Sequence, residues 1–154
     1  MAKRKSLRSD PCPVARALDV VGERWALLIV RDAFDGMRRF GEFQKSLGVA
    51  RNILADRLQG LVEEGIFTIA PASDGTAYQE YVLTPKGLSL FPVVVGLRQW
   101  GEAQLFDAGE ARSTLLDNKS GLPVRPMQVV AGDGRVLQVS DTQVRKVRPG
   151  PKSP

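Results

Sequence analysis

Apolar positions recur along this chain at two different periods, and the change from one to the other marks out its elements. Residues 13–22, PVARALDVVG, place Val14, Ala17, Leu18 and Val21 on one helical face, with Gly22 as the stop. Residues 24–35 carry a wider apolar face, with Trp25, Leu27, Leu28, Ile29, Val30 and Phe34, as expected of a helix at the centre of the core. DGM ends that helix, and RRF, residues 38–40, suggests a short strand before the next one. A short helix over 40–47 then turns Phe40, Phe43 and Leu47 inward, and Gly48 supplies a turn at a positive φ that other residues resist. A second helix over 50–64 turns Ile53, Leu54, Leu58, Leu61 and Val62 inward and stops at Gly65. Two short helices joined by a glycine turn, the second with a polar outer face, form a helix-turn-helix pattern.

The period then shortens. IFTIAPA and AYQEYVLT favour strands, and Asp74-Gly75 between them is a hairpin signal. Thr84 and Pro85 begin another helix as N-cap and first helical residue, expected to run to about Phe106 with a kink at Pro92. Its apolar residues (Leu90, Phe91, Val93, Val94, Val95, Leu97, Trp100 and Leu105) encircle it more widely than one core can use, so part should meet a second subunit. Beyond residue 113, two alternating runs around Gly132-Asp133-Gly134 predict a second hairpin, and the basic, proline-bearing end VRKVRPGPKSP reads as a mobile tail. The fold class is therefore α+β, mainly α: a winged helix-turn-helix with a long C-terminal dimerisation helix and a β-hairpin extension. Its parts are a basic arm over 1–11, a DNA-binding and dimerisation domain over 12–110, and the extension over 111–154.

Charge alters this picture less than it first promises. The chain of 154 residues has a net charge of +5, but residues 1–11 hold +3 and residues 111–154 hold +5, so 12–110 is net −3. Against that acidic body, residues 38–57 carry +3 within the helix-turn-helix itself. No apolar run approaches the roughly 20 residues that cross a bilayer, and the basic N-terminus lacks a signal-peptide core, which leads to a cytoplasmic expectation. With no histidine, one cysteine and no glycine-rich loop ahead of a helix, zinc sites, Ser/His or Cys/His nucleophiles and phosphate loops are excluded; no cofactor is expected.

CPVARALDVVGERWALLIVRDAFDGMRRFGEFQKSLGVARNILADRLQGLVEEGI, followed by YVLTPKG and LRQWGE, resembles the HxlR-type branch of bacterial winged-helix transcription regulators, relatives of the MarR group, from about Pro11 to Phe106. The resemblance implies a dimeric, DNA-binding regulator without catalysis, often acting on a neighbouring gene. The alternative is a winged helix that docks on proteins without reading DNA.

The chemistry of reading DNA can be assigned beside that resemblance. Removing the inward residues from the second helix leaves Arg51 and Asn52 at its start, suited to guanine and adenine, and Ala55, small enough to meet a thymine methyl. Phosphate contacts are expected from Arg38, Arg39, Lys45, Arg57 and, more weakly, Lys86; Arg57 could instead pair with Asp56 or near Glu63. The wing, APASDGTAYQEY, contains no lysine or arginine and two acids, Asp74 and Glu80, so it should add little affinity, with the basic ends compensating. Two recognition helices must enter successive major grooves about 34 Å apart, so the partners are a pseudo-palindromic duplex and a second copy, joined through residues 13–22 and the helix near 86–106. An effector pocket between the dimer helices could be lined by Trp25, Phe34 and Trp100, although ordinary core packing is the favoured role for each. Cys12 is expected at the N-cap of the first helix, where the helix end and Arg16 favour a reactive thiolate. Apolar burial, or capping by Asp10 in its place, are the other readings. The resemblance implies thiol-based sensing of oxidants or electrophiles as a further possibility.

Overall fold

The computed structural model describes residues 4–147, in two compact units that divide between Phe91 and Pro92. The first holds α1 (Pro13–Val21), α2 (Arg24–Phe34), α3 (Phe40–Leu47), α4 (Arg51–Glu63), β1 (Phe67–Pro71), β2 (Gln79–Leu83) and α5 (Pro85–Leu88). The second, Pro92–Lys146, contains nearly all of α6 (Phe91–Gln104) and the extension. The expected boundary near 110 lies downstream of this division. No helix among the described residues is long and apolar enough to cross a membrane.

The first unit is organised around α2. Ile29 and Val30 are completely buried, and α3 and α4 close over them with Phe43, Leu54, Leu58 and Leu61. Between α3 and α4, Gly48 takes φ +61, the left-handed turn that an L side chain resists, and directs its N–H to the Gln44 carbonyl at 2.9 Å. Of the residues expected to face inward from α4, Ile53 does not: it is 38% exposed. Leu54, Leu58 and Leu61 follow the 3–4 spacing of one stripe, and Ile53 lies about 100° around the helix from Leu54.

β1 and β2 form an antiparallel hairpin with Phe67 opposite Leu83 and Pro71 opposite Gln79. The RRF segment ahead of α3 forms no strand, because it offers the hairpin a single backbone hydrogen bond, from the Tyr81 N–H to the Arg38 carbonyl at 2.7 Å. After the hairpin, the Thr84 hydroxyl caps α5 by accepting the Gly87 N–H at 3.1 Å. Gly87 is needed for space: a Cβ there would stand 2.2 Å from the Ile66 carbonyl oxygen.

The single long helix expected from Thr84 onward is two helices. Leu90 turns its N–H back to the Gly87 carbonyl at 3.1 Å, and α6 restarts at Phe91 with Pro92 in its first turn. Proline lacks the N–H that a continuous helix would require there, yet its fixed φ suits a helix start. Within the second unit, the hairpin expected around Gly132-Asp133-Gly134 is reduced to one bridge, Val130 with Val136, and a second bridge joins Leu116 and Pro123. Alternation alone does not make a sheet when neither face has an apolar layer to cover it. The tail expected over 144–154 lies outside the described residues from 148 onward.

Candidate nucleic-acid interface

α4 presents to solvent the residues that a recognition helix needs. Ala50 precedes it in an extended conformation, and Arg51, Asn52, Ala55 and Asp56 are all exposed along its N-terminal half. The opposite stripe of Leu54, Leu58 and Leu61 fixes that orientation by burial. The Arg51 guanidinium lies 4.9 Å from the centroid of the Phe40 ring, so α3 supplies a platform under it. Ile53, assigned inward from the sequence, joins this outer face, where an apolar side chain suits a thymine methyl.

The cationic residues expected to grip phosphate are for the most part held within the chain. Arg38 pairs with Glu80 at 3.4 Å. Glu80 is a buried carboxylate that also accepts the Ser73 N–H at 3.3 Å and the Ser73 hydroxyl at 3.1 Å, fastening the base of the wing. Arg39 pairs with Asp74 at the wing tip and lies 5.3 Å from the Tyr78 ring centroid. Glu42 caps this segment by accepting the N–H groups of Arg38 and Arg39 at 2.8 and 2.9 Å, which lower its carboxyl below the usual range. Arg57 pairs with Asp56 and Glu23, each at 3.0 Å. Its Nε is buried and close enough to Glu23 for an ion pair, but is not aligned for a hydrogen bond. Glu23 in turn accepts the Trp25 N–H at 3.0 Å, so Arg57 ties α4 to the start of α2. Lys86 donates to the Glu64 carbonyl at 2.6 Å. Lys45 forms no ion pair among the described residues.

The acidic wing therefore has a structural explanation that its sequence does not disclose. Asp74 accepts from the Thr76 hydroxyl at 2.8 Å and the Thr76 N–H at 3.1 Å, and from Arg39. Together these hold its carboxyl at about 2, with the Thr76 hydroxyl the largest cause. Because the folded value is depressed, the pair is charged above the ordinary 3.8 and is lost only as the pH falls through about 2.

Cys12 is exposed and occupies the N-cap position of α1, but its side chain makes no capping hydrogen bond. Asp10 instead accepts the Cys12 N–H at 2.8 Å, while Arg16 donates to the Asp10 carbonyl at 2.6 Å. Of the residues suggested for an effector pocket, Phe34 packs edge-to-face on Phe91 at 5.4 Å and Trp25 lies under Arg24 at 4.7 Å. Trp100 is on α6 and 60% exposed. Of two cavities in the first unit, one lies among Ala33, Met37, Tyr81 and Leu88 and the other among Arg8, Asp19, Arg57 and Glu64; neither is lined by Trp25 or Phe34.

Comparison with known proteins places this geometry in a family. The model of the HxlR-like helix-turn-helix matches residues 20–108. An HTH-type transcriptional regulator of Mycobacterium tuberculosis is 50% identical over 92 residues, which make up 60% of this chain and 58% of that one, so the chain matches less than two thirds of that regulator's length. The crystal structure of PA1607, assigned as a transcription factor, covers 92% of this chain and 99% of its own at 53% identity and a TM-score of 0.87. The redox regulator HypR in its oxidised form is 31% identical, covering 62% of this chain and 100% of its own, with a TM-score of 0.56. With its helix-turn-helix, its hairpin wing and the match across residues 20–108, this chain belongs to the HxlR-like helix-turn-helix family of transcriptional regulators.

Proposed function

We propose that the chain is a homodimeric transcriptional repressor, acting in the cytoplasm, that binds a pseudo-palindromic operator and releases it when an effector or oxidation of Cys12 alters the dimer. The observation that carries this reading is the exposed Arg51, Asn52 and Ala55 face of α4, set by the buried leucine stripe behind it. Arg51 and Asn52 read base edges and Ala55 meets a thymine methyl. Lys45 grips phosphate directly; Arg38, Arg39, Arg57 and Lys86 do so by exchanging an internal partner for DNA. Exposed Val14 and Leu18 on α1, and Val93, Leu97 and Trp100 at helical spacing on α6, support burial against a second copy. A dimer seated on an operator represses by excluding polymerase, and a small molecule that meets Trp25, Phe34 or Trp100 at that interface would shift its geometry.

The test is a titration of the duplex upstream of the chain's own gene against a shuffled duplex of equal composition, over a series of salt concentrations. A preference for the upstream duplex at nanomolar protein, weakening steeply with salt, is the expected result. Equal, weak binding to both duplexes would favour a protein-docking winged helix instead.

The redox component is tested separately. Exposure of Cys12 and the likeness to a redox regulator support it. Since the chain has no second cysteine, oxidation leads to a modified thiol or to a disulfide with another molecule, including Cys12 of the partner subunit. Oxidation is expected to weaken operator binding by wild-type protein and to leave Cys12→Ser unaffected. Equal affinity of reduced and oxidised wild-type protein would assign the thiol a structural role.

A further inference from the structure

At the wing tip the chain gathers three hydrogen-bond donors around one of its own carboxylates. Three donors of different kinds converge on Asp74: the Arg39 guanidinium, the Thr76 hydroxyl at 2.8 Å and the Thr76 backbone N–H at 3.1 Å. Guanidinium, hydroxyl and backbone amide make up the donor set with which proteins bind phosphate oxygens. The Tyr78 ring, 5.3 Å from the guanidinium carbon, limits where Arg39 can turn, and Glu80, which pairs with Arg38, anchors the base of the same hairpin. Arg39 also directly precedes α3, the helix that carries Phe40 beneath Arg51. The site is thus built on the element that orients a base-reading side chain.

We propose that Asp74 is an internal phosphate mimic: it occupies, in the DNA-free chain, the site that a DNA backbone phosphate takes in the complex, with Arg39 and Thr76 as its donors. This rests on the DNA-binding reading above. It accounts for a winged helix whose wing tip has no cation of its own, because the cation is lent by Arg39 from the adjoining loop. The displacement is an exchange of anions, with no covalent step. The protein gives up one ion pair and gains one phosphate contact, so the net effect of the site on affinity is small while Asp74 is present and large once it is neutralised.

The experiment measures fluorescence anisotropy of the upstream and shuffled duplexes with wild type, Asp74→Asn, Arg39→Gln and the double variant, across a salt series. Asp74→Asn keeps an oxygen that can accept from Thr76 while losing the charge, and Asp74→Ser is a second neutral variant should the amide disturb the turn. Neutralising Asp74 is expected to tighten binding about fivefold. It should also steepen the slope of log affinity against log salt by about 0.9, because the phosphate contact is no longer offset by a carboxylate set free beside it. In the Arg39→Gln background the same change should yield little of that gain and leave the slope unaltered. An equal gain with and without Arg39 would mean that Asp74 acts only through general charge, and overturns the proposal, as does unchanged or weakened binding by both neutral variants at intact thermal stability. If wild-type protein binds neither duplex, the DNA-binding reading itself fails and takes the proposal with it; binding by wild type with no effect of neutralising Asp74 defeats the proposal alone.

Discussion

Replacing Arg51 and Asn52 together with alanine is expected to reduce operator binding to the level of arbitrary DNA. Each bidentate contact to a base edge contributes about 1–3 kcal/mol of discrimination, so losing both costs at least about 30-fold in specific affinity. Both side chains are exposed at the start of α4 and neither contributes to its buried stripe, so the variant should melt at nearly the wild-type temperature. Arg51→Lys separates geometry from charge: it retains a cation but loses the planar fork, and should lose most of the preference for operator. Lys45→Ala provides the contrast. It should weaken binding to every duplex alike and lower the salt slope by about 0.9. Titrations of both duplexes by the variants check these outcomes. Undiminished discrimination by the Arg51/Asn52 double variant would remove the recognition role from α4.

How much of this was legible in the sequence varied with the range of the interactions involved. The limits of α1 to α4 could be read because local signals coincide there: apolar spacing, Pro13 at a helix start and Gly48 at a turn. Ile53 was misread because a run of neighbouring apolar residues looks like a single face, while the packed stripe takes only every third or fourth position. Pro92 was visible as an interruption, but whether proline kinks a helix or begins a new one depends on the residues before it, here Ser89 and Leu90 closing back on α5. The partners of Arg38, Arg39 and Arg57 were the least accessible. Glu80 and Asp74 lie 42 and 35 residues away from their arginines, a separation that no local pattern reports. One signal could have pointed there: two adjacent arginines before a helix, and two acids in a wing with no cation, are complementary. The extension misled in the opposite sense, since its alternating runs satisfied a strand pattern that a sheet with no covering layer cannot exploit.

Phe43→Ala is expected to produce a large loss of stability, about 3–5 kcal/mol, through the cavity it leaves in a fully buried position. Phe43 belongs to α3, and its ring meets Phe67 of β1 edge-to-face at 6.3 Å; Phe67 meets Tyr81 of β2 at 6.4 Å. This aromatic row joins the first helix of the helix-turn-helix to both strands of the wing, so its loss should loosen the wing relative to α3 as well as lower the melting temperature. Domains of this size are stable by about 5–15 kcal/mol, so the variant gives up a large part of the total. Phe43→Leu keeps most of the volume and should cost distinctly less, retaining operator binding where Phe43→Ala loses it. Urea unfolding of the three proteins, read by circular dichroism, checks the order. A Phe43→Ala protein within about 1 kcal/mol of wild type would mean that the row does not hold the wing, which is left to the ion pairs of Arg38 and Arg39 and to the Tyr81–Arg38 backbone hydrogen bond.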